Sequence, residues 1–420
     1  MPSSRARDPR AAIDAVWRIE SPRLIAGLAR MVGDVGLAED LAQDALVAAL
    51  ETWPRTGVPD NPGAWLMAIG KRRAIDGFRR AKTFERKQEE LAYMLGAELT
   101  VAGDAASAAV LSEAVGDDLL RLMFTCCHPA LSTQARITLT LRMLGGLKTD
   151  EIARAYLTSE ATVAQRIVRA KRTLADARVG FVTPEAEDLP ERLASVLEVV
   201  YLIFNEGYSA TTGDDWLRPD LCLDALRLGR VLAGLAPREP EVHGLLALME
   251  IQASRLRART APDGTPILLM DQDRARWDRL LVGRGLAALA RAEACPGPGG
   301  PYVVQAAIAA CHARAPSAAE TDWIRIAALY EVLAGLTPSP VVELNRAVAV
   351  SMAFGPEAAL ELVDAIELPS SHLLPAVRAD LLVRLGRGTE ARAELERAAG
   401  LARNAREREL LLARAAGMGR

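Results

Sequence analysis

Two short basic segments hold the side chains best suited to chemistry. Between Trp65 and Arg80, the cations Lys71, Arg72, Arg73, Arg79 and Arg80 stand against a single acid, Asp76. Between Ala161 and Ala175, Arg166, Arg169, Lys171 and Arg172 occur with no acid at all. Guanidinium and ammonium groups neutralise phosphates, and the hydroxyl of Thr162 and amide of Gln165 hydrogen-bond base edges. That chemistry is recognition of nucleic acid. Covalent chemistry has no comparable support. Cys126-Cys127-His128 lacks the distant second ligand pair that a zinc site brings, so buried thiols and no metal are expected. Asp271, Asp273 and Arg274 read as ion pairs, because no nucleophile–histidine pair or phosphate-binding glycine loop accompanies them. Neither catalysis nor a cofactor is expected.

The second basic segment needs a helix to present it. Thr149 suits the start of a short helix with Asp150 and Glu151 in its first turn, Tyr156–Thr158 make a turn, and Ser159 caps a second helix. On that helix Val163, Ile167, Ala170 and Leu174 recur at i, i+4, i+7 and i+11, a buried stripe. Thr162, Gln165, Arg166, Arg169 and Arg172 then face outward, with Lys171 among the same cations. This is a helix-turn-helix whose second helix fits a major groove, although its turn lacks the common glycine. The first basic segment reads as a helix from about Ala64 to Arg80. Ahead of it, breaks near Ser21-Pro22 and Gly33–Gly36 predict two or three helices, the last running from about Ala38 to Trp53-Pro54. That helix places Leu37, Leu41, Ala45 and Ala48 on one side, widened by Leu46, Leu50 and Trp53. Asp40, Gln43, Asp44 and Glu51 lie opposite.

The 420 residues exceed one core, and half are hydrophobic with only 4% aromatic, which favours several packed helical domains. The net charge of −3 averages out the two basic helices and does not argue against an anionic partner. Neither an apolar leader nor a membrane-length apolar run is present, so a cytoplasmic protein is expected. The segment 82–112 reads as a linker, and Thr183–Asp188 as a polar joint. Beyond it, helices of about 12–20 residues recur between prolines and glycines, with Thr265–Met270 the one candidate strand. Gly355-Pro-Glu-Ala-Ala-Leu-Glu-Leu resembles Gly388-Thr-Glu-Ala-Arg-Ala-Glu-Leu, 33 positions later, close to the tetratricopeptide period of about 34. Asn205-Glu206-Gly207-Tyr208-Ser209 with Asp214, Asp215 and Trp216 reads either as a polar pocket or as a helix end stopped by Gly207.

These segments together resemble the extracytoplasmic-function sigma factors of bacterial RNA polymerase. Ala38-Glu-Asp-Leu-Ala-Gln-Asp-Ala-Leu-Val-Ala-Ala-Leu resembles their region 2.2, and Asn61 to Arg80, with its Trp-Leu and Ala-Ile-Asp-x-x-Arg-Arg elements, resembles regions 2.3 and 2.4. The helix-turn-helix resembles region 4. Phe124-Thr-Cys-Cys-His-Pro-Ala-Leu, Tyr201-Leu-Ile-Phe-Asn-Glu-Gly-Tyr, Asp271-Gln-Asp-Arg and Glu343-Leu-Asn-Arg-Ala-Val-Ala are similar to the group with a tetratricopeptide-like C-terminal extension. The resemblance implies an all-α fold: region 2 over 10–81, region 4 over 113–182 and a helical-repeat domain over 188–420. It implies that Asp40, Gln43 and Asp44 dock on the β′ clamp coiled coil of core RNA polymerase. Trp65, Lys71, Arg72, Arg73, Arg79 and Arg80 would engage the melted −10 strand. Thr162, Gln165, Arg166, Arg169, Lys171 and Arg172 would read the −35 duplex beside the β flap. The C-terminal domain would take a protein partner or an intramolecular contact. Two other readings fit the same pattern: a helical-repeat scaffold, and a one-component regulator that senses a ligand.

Overall fold

The computed structural model describes residues 9–80, 105–210 and 216–418, all built on helices. They form two compact units, 1–199 and 200–420.

In the first unit, α1 (Pro9–Val32), α2 (Val35–Thr56) and α3 (Pro62–Arg80) pack on one another. Pro22 does not break α1, which runs through it. The proline leaves the Arg18 carbonyl without its helical donor, and Gly146, at φ +68°, packs against the Arg18 backbone. α2 starts earlier than its hydrophobic pattern suggests. Asp34 caps it by accepting from Leu37 N at 2.7 Å. It also runs past Trp53-Pro54 to Thr56, where Gly57 at φ +84° ends it. Its buried residues are Val35, Ala38, Glu39, Leu41, Ala42, Ala45, Ala49 and Trp53, with Leu37 and Leu50 outside. Alanines let neighbouring helices approach closely, so four of them line the inward side beside Leu41, while Leu37 and Leu50 face out.

α4 (Ala105–Cys126) begins inside the segment read as a linker, whose residues 82–104 lie outside the described residues. α5 (Thr133–Met143), α6 (Thr149–Ala155) and α7 (Glu160–Asp176) follow. Cys126 and Cys127 are buried between them, Cys127 Sγ 3.5 Å from Thr140 Oγ1. Burial pushes the Cys127 thiol up to about 11. The start of α8 (Leu189–Tyr208) is tied to this group: Ser195 Oγ donates to the Cys127 carbonyl at 2.7 Å, and Arg136 donates to Ser195 Oγ at 2.6 Å.

The second unit comprises α9 (Pro219–Leu235), α10 (Pro240–Ala253), α11 (Arg279–Ala294), α12 (Pro301–Arg314), α13 (Trp323–Leu336), α14 (Pro340–Phe354), α15 (Pro356–Asp364), α16 (Leu373–Arg384), α17 (Gly388–Leu401) and α18 (Ala405–Gly417). Proline stands at the first position of α9, α10, α12, α14 and α15, where its fixed φ suits a helix start. α10 is buried almost all round, packed by α9, α11 and α12. The 33-residue offset is real in three dimensions. α14–α15 and α16–α17 are successive packed helix pairs, and Arg384 bonds back to the Ser351 carbonyl at 3.1 Å across them.

Three sequence expectations are corrected in this unit. Thr265–Met270 is not a strand; it contributes one isolated bridge, Thr260 with Pro266, then a 3₁₀ turn. Gly207 does not stop α8. A Cβ there would sit 2.7 Å from Cys222 N, so glycine lets α8 and α9 touch. Asp214 and Asp215, placed beside it in the pocket reading, lie outside the described residues. Nor do Asp273 and Arg274 pair as ions: Asp273 caps a 3₁₀ turn, and buried Arg274 donates to the carbonyls of His312 and Ala315 at the end of α12. No helix among the described residues is long and apolar enough to cross a membrane.

Candidate nucleic-acid interface

The recognition helix α7 is held by its own chemistry. Ser159 caps it, accepting from Thr162 N at 3.1 Å, a contact type that contributes about 1 kcal/mol. Val163, Ile167, Ala170 and Leu174 are all buried, against α5 and α6. Each larger aliphatic contributes about 2 kcal/mol by leaving water. The preceding α6 is capped differently from the expected Thr149: Lys148 is the cap residue, and the Glu151 carboxylate accepts its backbone N–H at 2.8 Å. The missing turn glycine is replaced by Leu157 at φ +47°. Leu157 N bonds to Arg154 O and Thr158 N to Ala153 O, the paired closure that usually takes glycine at that position.

Thr162, Gln165, Arg169 and Arg172 are exposed on one side of α7. Thr162 Oγ1 lies 2.8 Å from Ser159 Oγ, and Arg172 lies 3.5 Å from the exposed Asp176. Arg166 is half-buried, 3.4 Å from Thr138 Oγ1, and with Arg169 lines a cleft of about 420 Å³ beside the capped start of α5. Lys171 stands apart. Its side chain leaves the exposed row and bonds with Glu39 and, at 2.9 Å, with Asp40. Burial would lower its pKa, but the two carboxylates more than offset this, so the ammonium is held charged above its ordinary range.

On α3, Arg72 and Arg73 are exposed and Lys71 is half-buried. Arg79 and Arg80 close the helix, and their side chains lie outside the described residues. Trp65 is half-buried, its ring 5.3 Å from that of Trp53 at 61°, edge to face. On α2, Asp40 and Asp44 are exposed and Gln43 half-buried. Beside them Leu37, Val47 and Leu50 are 41%, 51% and 41% exposed. The row Leu37, Asp40, Asp44, Val47, Glu51 follows a 3,4,3,4 spacing. This heptad-like spacing is legible in the sequence, but side-chain size alone points Leu37 and Leu50 to the core rather than to this face. Glu39, buried on α2 against Lys171, carries no pattern signal in the sequence.

Thus one unit holds an exposed mixed helix face, a basic helix and a capped helix-turn-helix. Residues 17–84 match the family described as Sigma-70 region 2, and residues 121–174 match Sigma-70, region 4. The chain is an extracytoplasmic-function sigma-70 protein. Residues 192–293 match a family of unknown function, so this sigma-70 chain carries a C-terminal extension. An uncharacterized protein of Rhizobium meliloti is 46% identical over 94% of this chain and 93% of its own length. A probable extracytoplasmic-function RNA polymerase sigma factor, SigI, of Mycobacterium tuberculosis is 28% identical over 42% of this chain and 58% of its own. The sigma factor SigK of Mycobacterium ulcerans is 30% identical over 40% of this chain and 87% of its own. No solved structure matches.

Proposed function

We propose that this protein binds core RNA polymerase and directs it to particular promoters, in the cytoplasm and without catalysing a reaction of its own. One observation carries the reading: a single compact unit contains both an acidic–apolar helix face and a helix-turn-helix with an outward row of Thr162, Gln165, Arg169 and Arg172. A lone DNA-binding regulator needs only the second.

Each part has a physical task. The α2 row of Asp40, Asp44 and Glu51 with Leu37, Val47 and Leu50 offers charge for orientation and apolar area for affinity, a combination suited to a helical coiled coil of the polymerase clamp. On α3, Arg72, Arg73 and Lys71 draw in the −10 backbone, and Trp65 offers a ring to an unstacked base. Arg79 and Arg80 extend the same basic row in sequence. On α7, Thr162 and Gln165 suit base edges, while Arg166, Arg169 and Arg172 suit guanine or phosphate at −35, next to the β flap. Nucleotidyl transfer belongs to the polymerase. The C-terminal unit offers helix pairs for a protein partner.

The test is equilibrium binding of the purified protein to core polymerase without DNA. Asp44→Ala removes one exposed charge from the α2 row and should weaken binding about tenfold, the loss of roughly 1–2 kcal/mol typical of a contributing interface residue. Equal binding by wild type and variant, or none by either, contradicts the proposal.

A further inference from the structure

The first unit joins its two functional halves through ion pairs between residues far apart in the sequence, most of them more than a hundred positions. Glu39, 4% exposed on α2, receives Arg142 of α5 at 2.9 Å and Lys171 of the recognition helix. Lys171 reaches on to Asp40 at 2.9 Å, with the Gly36 carbonyl 3.5 Å away. Around this centre Arg18 pairs with Glu151 at 2.6 Å, Lys148 with Asp14 at 2.9 Å, and Arg30 with buried Asp118 at 3.1 Å. These three pairs link α1 to α6, the cap of α6 and α4. These ion pairs run alongside the packing of α1 on α4. A cleft of about 290 Å³ also runs between Gly33–Gly36 and the Lys171–Arg178 side of α7.

We propose that Lys171 clasps the region 4 unit onto α2 and so occupies an edge of the face that receives the polymerase. Docking of polymerase and closure of the clasp then compete for Asp40. The competition rests on the proposed function; the clasp itself does not. The clasp is built to be released. Asp44, Leu37, Val47 and Leu50 remain exposed beside it, so a partner can engage the open part of the face before displacing Lys171. Glu39 is shared with Arg142 of α5, so loss of Lys171 alone does not strand a buried carboxylate. Release also frees the Lys171 ammonium on the flank of α7, adding a phosphate-binding group beside the exposed row when the promoter is to be engaged.

The test uses the full chain with spin labels at Asp60→Cys and Glu160→Cys, both exposed positions, after Cys295→Ser removes the one cysteine that is not buried. Wild type should give one short label distance, and Lys171→Ala a longer and broader distribution. Lys171→Arg should restore the short one. In the same proteins without labels, Lys171→Ala should bind core polymerase about fivefold more tightly, because a partly screened pair of about 1 kcal/mol no longer holds the closed form. Unchanged label distances overturn the clasp. Longer distances with unchanged or weaker polymerase binding overturn the competition. Absence of polymerase binding in every variant overturns the proposed function and the competition with it, while the label distances still decide the clasp.

Discussion

Leu157 shows how a single residue stands where its neighbours, not its own preference, put it. An L-residue in the left-handed region costs about 1 kcal/mol, and Leu157 is 56% exposed, so little burial repays it. Leu157→Gly should raise stability by about 0.5–1 kcal/mol, read from denaturant midpoints at constant m-value. A destabilised variant would mean that the leucine makes a contact the closure needs. The outward row of α7 was legible from residue types and from the buried stripe opposite. Lys171 was not: a helical wheel puts it on the flank, and only the fold reveals Glu39 and Asp40 beside that flank. The α2 stripe was misjudged for a related reason, since side-chain size suggested leucines inside where close helix packing selected alanines.

Among the elements, the start of α7 was readable because Ser159 acts locally, whereas the cap of α6 falls one residue early at Lys148 and α2 begins early at Val35. Interior prolines misled, as at Pro22 and Pro54, where tertiary packing keeps a helix going through a lost hydrogen bond. The end of α12 carries a pH response of its own. His312 packs edge-on against Trp323 at 5.1 Å. Burial, with the nearby Arg255 and Arg274 adding to it, lowers its pKa to about 4. The unfolded chain takes up a proton near pH 6.5, whereas the folded chain resists until about pH 4. The stability held by neutral His312 is therefore full above pH 6.5 and is lost as pH falls towards 4. Unfolding followed by tryptophan fluorescence should show this decline, and His312→Phe should flatten it. An equal decline in the variant would place the acid sensitivity elsewhere.

At the scale of the molecule, the all-α character and the order of the functional segments were visible in composition and spacing. The 33-residue offset likewise foresaw two packed helix pairs. The closed arrangement of the first unit was not visible, because ion pairs such as Lys148–Asp14 and Arg18–Glu151 join residues with no pattern relating them along the chain. The role of the C-terminal unit is a question at this scale too. Removing residues 188–420 separates an extension that restrains the sigma regions from one that supports them. The most direct measurement is in vitro transcription with purified core polymerase over a library of promoter fragments. The account predicts discrete start sites sharing one −35/−10 pair, lost when Arg166 and Arg169 are both replaced by alanine. Transcription unaffected by those replacements, or none from either the full chain or residues 1–187, would contradict it.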